Sequence, residues 1–264
     1  MKNYFFIILM SLFLSTRAYG ALVTQTVEYK QADTVLEGYL AYDDSAAGKR
    51  PAVIVIHEWK GLDDYAKKRV EQLAGLGYVA FAADIYGKGV RPVSHDDAGK
   101  IAGAFKKDRT LMRERGKAAY EYLKNHELVN PDRIAAMGYC FGGTAVLEMA
   151  RAGLLLKGVI SFHGGLDAPV PAKAGEIKSK VLVFHGANDP FVLQKDVLDF
   201  EQEMKDAKAD WQLVIFGNTV HRFTVSDAGD DPSQGFAYNK EADERSWEML
   251  QQFLKEIFLS ELIP

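Results

Sequence analysis

Cys140 is the only thiol in 264 residues, and it lies in the run Gly138-Tyr139-Cys140-Phe141-Gly142-Gly143. A thiolate is a nucleophile, so the neighbours of a lone cysteine decide whether it serves chemistry or packing. Glycines two before and two after such a residue suit a sharp strand-to-helix turn, where side chains would collide with the strand and helix. The turn sets sulfur at a helix N-terminus, where the dipole favours the thiolate. It also aims the N–H of Phe141 at a developing oxyanion. Taken alone, the pattern equally suits a glycine-rich turn around an inert thiol.

Two later residues supply what a working thiol needs. Asp189 closes the stretch "KVLVFHGAND", and His221 follows the last apolar run, "WQLVIF". Nucleophile, acid, histidine is the order used in the α/β-hydrolase fold. His221 would be the base that orients Cys140, and Asp189 would hold its tautomer. Separately, Asp189-Pro190 also reads as a helix N-cap, and His221 as a loop histidine. Together, in this order after these strands, they favour a triad. His57, His163 and His185 also close apolar runs but lack the close spacing of metal ligands, so no metal is expected. No Gly-x-Gly-x-x-Gly follows a strand and no P-loop occurs, so no cofactor is expected either.

Stepping from residues to scaffold, short apolar runs alternate with helical patterns. "PAVIVIHE" (51–58), "YVAFAADIY", "RIAAMGY", "LKGVISFHG", "KVLVFHGAND" and "WQLVIF" read as strands, most of them apolar throughout as if buried on both faces. A leading hairpin is expected from the alternation in "TQTVEYKQADTVLEGYLAY". Helical spacing covers 62–76, 95–126 with a break near Asp108, "GGTAVLEMARAG", a stretch opening at Pro190, and the C-terminal "KEADERSWEMLQQFLKEIF". The alternation predicts an α/β fold: a mostly parallel central sheet with helices on both faces, in a single domain. Function in such sheets lies just beyond the C-terminal strand ends, where all of these candidates fall.

Apolar residues make up 48% and charged residues 26%, as in an ordinary globular chain, and a formal charge of −4 with no basic block argues against nucleic acid. Lys2, the apolar run "YFFIILMSLFL" and Ala18-Tyr19-Gly20 predict a cleavable secretory signal over residues 1–20. The alternative is an uncleaved N-terminal anchor. Residues 21–264 would then form a secreted or periplasmic α/β-hydrolase domain without a stable membrane anchor. Exported proteins usually pair their cysteines, which makes the unpaired one more pointed.

"HEWKGL", "AADIYG", "GYCFGG", "FHGANDPFV", "VHRF" and "AYNKEADERSWEMLQQF" together resemble the dienelactone hydrolase (carboxymethylenebutenolidase-like) family of the α/β-hydrolase fold. The resemblance runs from about residue 22 to the C-terminus. It implies Cys140 as nucleophile, Asp189 as acid and His221 as base. It puts Glu58 beside the cysteine, coupling substrate binding to thiol activation, and makes the N–H of Trp59 a second oxyanion donor. Family members grip a substrate carboxylate with two arginines, at positions occupied here by Lys88 and Val225. Lysine meets a carboxylate as a point charge, and valine cannot meet it at all. Arg91 and Arg222 lie nearby as replacements, and Tyr86 and Phe223 are expected as pocket walls. The expected partner is a small ester or lactone; the oligomeric state is not legible. Competing readings are a hydrolase of larger acyl substrates such as peptides, and a non-catalytic binding or thiol-buffering protein.

Overall fold

Strands β1 (Leu22–Gln31) and β2 (Thr34–Asp43) form the expected antiparallel hairpin. The structure is a computed structural model and describes residues 20–259. The expected signal segment lies outside the described residues, Gly20 apart. Six more strands follow: β3 (Arg50–Ile56), β4 (Val79–Ala83), β5 (Val129–Tyr139), β6 (Gly158–Phe162), β7 (Lys180–Gly186) and β8 (Trp211–Phe216). The eight make one sheet in the order β1-β2-β4-β3-β5-β6-β7-β8. Only β2 runs against the others: its pairings with β1 and β4 are antiparallel, and every pairing from β4 across to β8 is parallel.

The continuous apolar runs have a simple cause, since alternate residues serve two cores. On β3, Ala52, Ile54 and Ile56 face one cluster, while Val53 and Val55 face the other. Helices α2 (His95–Lys107), α3 (Arg109–Lys124), α4 (Phe141–Arg151) and α5 (Gln194–Asp206) supply residues to the first cluster. Helices α1 (Asp64–Gly75) and α6 (Lys240–Leu259) supply the second. The break at Asp108 is sharp: this residue is the C-cap of α2, and its carboxylate accepts the Leu111 N–H as N-cap of α3.

One boundary differs from expectation. α5 opens at Gln194 rather than at Pro190. The Asp189 carboxylate takes the Phe191 N–H at 2.9 Å, which turns residues 190–193 into a loop instead of a first helical turn.

Helix α4, which begins next to Cys140, is held by a buried ionic clamp. Arg151 forks onto Glu203 of α5 at 2.9 and 2.8 Å and reaches Glu148 at 2.9 Å. Arg113 of α3 meets the same Glu148 at 2.7 Å. Paired and bidentate, these charges satisfy one another without water and fix α4 against its neighbours.

Candidate active site

β5 ends at Tyr139 and α4 starts at Phe141, so Cys140 alone makes the corner. Its backbone has φ 52° and ψ −113°, a conformation that costs an L-residue about 1–3 kcal/mol. Two glycines make the corner possible. A Cβ on Gly138 would sit 2.2 Å from the Gly142 carbonyl oxygen, and one on Gly142 would sit 2.2 Å from the Ile56 carbonyl oxygen. The Cys140 N–H is held by the Phe162 carbonyl at 3.0 Å and by His163 Nδ1 at 3.1 Å. Sulfur therefore stands at the α4 N-terminus, half-buried, on a fixed stalk.

The loops after β7 and β8 bring Asp189 and His221 to the same corner. His221 Nδ1 lies 2.7 Å from Asp189 Oδ2, and His221 and Cys140 line the same cavity. Asp189 caps no helix, since Leu193 is the N-cap of α5, and its two oxygens are divided between a loop turn and the imidazole. Oδ1 caps the Phe191 N–H while Oδ2 faces the imidazole. Burial pushes the His221 imidazole down, but the neighbouring Cys140 and Asp189 outweigh it and raise its pKa to about 10.

Glu58 follows β3 and is 2% exposed. Arg222 grips it with Nε at 3.2 and 3.1 Å and Nη2 at 3.0 Å. Burial raises the Glu58 carboxyl above its usual range, and the Arg222 guanidinium pulls it back part of the way. Glu58 is thus turned onto an arginine, and no hydrogen bond between its carboxylate and Cys140 occurs among the described residues.

These groups open into a cavity of about 610 Å³. Glu58, Cys140, His221 and Arg222 line it, with Trp59, Phe141, Phe191 and Phe236 as its aromatic walls. The opposite wall is α2, which turns Gly99, Ala102 and Gly103 toward the space. A larger, more open groove of about 840 Å³ runs between Tyr29 and α3 and contains none of the sequence-predicted residues.

The remaining candidates fall elsewhere. Lys88 pairs with Glu28, and both are exposed. Arg91 donates to the Leu62 carbonyl at 2.8 Å and lies 3.6 Å from Asp84. Neither lines the cavity, because each is bound to the surface around the β-hairpin. Tyr86 is packed beneath the wall, with its ring 5.1 Å from that of Phe141 and its hydroxyl on the Trp59 carbonyl at 2.9 Å. Phe223 is fully buried against His163 and Phe216. Val225 is buried as well. Of the substrate-binding candidates, only Arg222 reaches the cavity, and it does so already paired.

Some contributors were not assigned this role from the sequence. His163 bridges the Cys140 N–H and Thr224 Oγ1, at 2.9 Å, and Thr224 also accepts from Tyr65 at 2.8 Å. Arg69 extends this chain to Asp243 at 2.5 Å. His163 closes β6, so its position at a strand end was the available clue.

A model of the dienelactone hydrolase family matches residues 36–258. A putative carboxymethylenebutenolidase of Aquifex aeolicus is 29% identical over 236 residues, covering 88% of this chain and 97% of that protein. A probable 2-oxo-3-(5-oxofuran-2-ylidene)propanoate lactonase of Bradyrhizobium is 29% identical over 217 residues, covering 76% and 86%. A solved dienelactone hydrolase-like promiscuous phosphotriesterase from metagenomic libraries is 36% identical, with a TM-score of 0.85, covering 90% of this chain and all of that one.

Proposed function

This chain belongs to the dienelactone hydrolase family, whose members hydrolyse esters and lactones, and from that premise we propose that it works through an acyl-cysteine on Cys140. One observation carries the reading: His221, bonded to Asp189 at 2.7 Å, lines the same cavity as Cys140.

The thiolate of Cys140 attacks the carbonyl carbon, and a C–S bond forms as the carbonyl π electrons move onto oxygen. The N–H groups of Phe141 and Trp59 receive that oxyanion. Collapse breaks the C–O bond, and imidazolium His221 gives its proton to the leaving oxygen. In a lactone that alcohol stays tethered to the acyl group. Water then attacks the thioester and yields its proton to His221. The acid leaves, and the thiolate–imidazolium pair is restored. Asp189 keeps the Nδ1 proton in place throughout.

Glu58 modulates the nucleophile through its position. A carboxylate turned onto sulfur would oppose the thiolate; held by Arg222, its charge is spent elsewhere. A cavity of about 610 Å³ suits a small-molecule ester or lactone better than a peptide. With Lys88, Arg91 and Val225 outside it, the substrate needs no carboxylate grip at those positions. The N-terminal pattern supports an exported, secreted or periplasmic enzyme, tested by N-terminal sequencing of the mature protein, which should begin at Ala21.

The decisive test is a panel of p-nitrophenyl esters and lactones, assayed with the parent and with Cys140→Ala. Turnover in the parent alone supports the reading. Equal turnover in both overturns it, and a folded parent inert on every substrate favours a binding or thiol-buffering role. A p-nitrophenyl phosphotriester belongs in the panel, because the metagenomic relative that is 36% identical is a promiscuous phosphotriesterase.

A further inference from the structure

His57 is fully buried, lies outside the triad, and contacts the Glu58 carbonyl and the Phe141 ring, next to both of the N–H groups assigned to the oxyanion. Its Nε2 accepts the Ile85 N–H at 3.1 Å. A backbone N–H can only donate, so that nitrogen carries no proton and the proton sits on Nδ1. Nδ1 lies 2.6 Å from the Glu58 carbonyl oxygen, which can only accept. The tautomer is therefore settled by its two partners. Burial pushes the imidazole down and keeps it neutral.

The Glu58 carbonyl belongs to the same peptide unit as the Trp59 N–H. In a planar trans peptide the two point in opposite directions. Gripping the carbonyl from the His57 side therefore aims the N–H away from His57. The next carbonyl, Trp59 O, is held by the Tyr86 hydroxyl at 2.9 Å. Both peptides flanking Trp59 are thus pinned by buried side chains.

The side chain of the residue that carries the other donor packs against the same group. The His57 ring stacks on the Phe141 ring, with centroids 5.9 Å apart and planes 10° from parallel. Tyr86 meets His57 edge-on at 4.8 Å and packs against Phe141 at 5.1 Å. Neither the Trp59 nor the Phe141 N–H is taken by a turn, cap or side-chain acceptor among the described residues. Donors aimed before the reaction are worth more than donors that must turn during it.

We propose that His57 and Tyr86 are positioning residues of the oxyanion hole, presetting the direction of the Trp59 N–H and seating Phe141. This rests on the acyl-cysteine reading and goes beyond it, because neither side chain meets the substrate. The test compares steady-state kinetics on a p-nitrophenyl ester with the rate at which iodoacetamide alkylates Cys140. Alkylation needs the thiolate but no oxyanion hole, so a disturbed triad slows both and a misaimed donor slows only turnover.

Removing an oxyanion donor outright costs about 10²–10³ in kcat, so misaiming one should cost less. His57→Leu is expected to lower kcat about 10- to 100-fold, with KM within about threefold and the alkylation rate within about twofold. His57→Gln, whose amide offers one donor and one acceptor, should recover to within about threefold of the parent. Tyr86→Phe removes only a hydroxyl and should lower kcat about three- to tenfold; it carries the test if His57→Leu does not fold. Parent-like kcat in every variant that folds overturns the proposal, as does a fall in alkylation that matches the fall in kcat. Cys140→Ala is the control. If it is inactive while the His57 and Tyr86 variants keep full activity, the acyl-cysteine reading stands and this inference falls. If Cys140→Ala is itself active, both fall.

Discussion

Removing the arginine that grips Glu58 should produce a protein whose stability defect depends on pH. In Arg222→Met the Glu58 carboxylate, 2% exposed in the parent, loses all three hydrogen bonds from the guanidinium. An unpaired buried charge costs about 3–5 kcal/mol if it must stay charged. Glu58 has an escape, because it can take a proton. From the ordinary value of 4.5, protonation costs about 1.36 kcal/mol per pH unit. That caps the defect at about 1.4 kcal/mol at pH 5.5 and about 4 kcal/mol at pH 7.5. The sign follows from linkage. In the variant the folded-state pKa of Glu58 lies further above the unfolded value, so the folded protein binds the extra proton. Its stability therefore falls, relative to the parent, as pH rises above 4.5. Urea unfolding of both proteins at pH 5.5 and 7.5 measures this directly. A gap of about 1 kcal/mol at pH 5.5 that widens to about 2–4 kcal/mol at pH 7.5 is expected. A gap equal at the two pH values would refute the idea that Glu58 charge is what Arg222 relieves.

Three further outcomes are expected. Asp189→Asn should keep the Phe191 cap but offer its amide hydrogens to His221 Nδ1, imposing the wrong tautomer; kcat should fall by on the order of 10⁴ while the melting temperature barely moves. Gly142→Ala forces a Cβ to 2.2 Å from the Ile56 carbonyl oxygen. A destabilisation of about 3 kcal/mol would lower the melting temperature by about 6–12 °C, measurable by calorimetry. Imidazole NMR of the parent should place the His221 midpoint near 10. Since Cys140 charge is the leading upward influence, Cys140→Ala should lower that midpoint, and an unchanged value would remove the thiolate from the account. With its folded-state pKa raised, protonated His221 contributes stability fully below about 6.5, and that contribution is lost as pH climbs through about 10.

The strands and their ends were legible because each apolar run must serve two cores and then stop. Cys140, Asp189 and His221 were picked out through that rule together with their order along the chain, Glu58 through the family resemblance, and all four line or border the one cavity. The start of α5 was not legible, because Asp189-Pro190 carries a helix-start signal that the Asp189 bond to the Phe191 N–H turns into a loop. Lys88 and Arg91 were misplaced for a different reason. Spacing along the chain says that a cation follows β4, but not that Glu28 of the hairpin and Asp84 will claim it. The Arg222–Glu58 pair joins residues 164 apart, and the Cys140–His163–Thr224 chain joins three loops. Contacts of that kind exist only once the sheet order is known.

The α2 wall has a consequence of its own. A glycine inside a helix costs about 1 kcal/mol relative to alanine, yet α2 keeps Gly99 and Gly103 facing the cavity. A Cβ at either position would meet nothing within 4 Å. The helix gives up stability to stay thin, and the thinness becomes room for substrate. The depth of the cavity on that side is then set like that of a drawer by its back panel. Adding a methyl at Gly103 would thicken the panel, strengthen the helix and leave the reacting groups where they are.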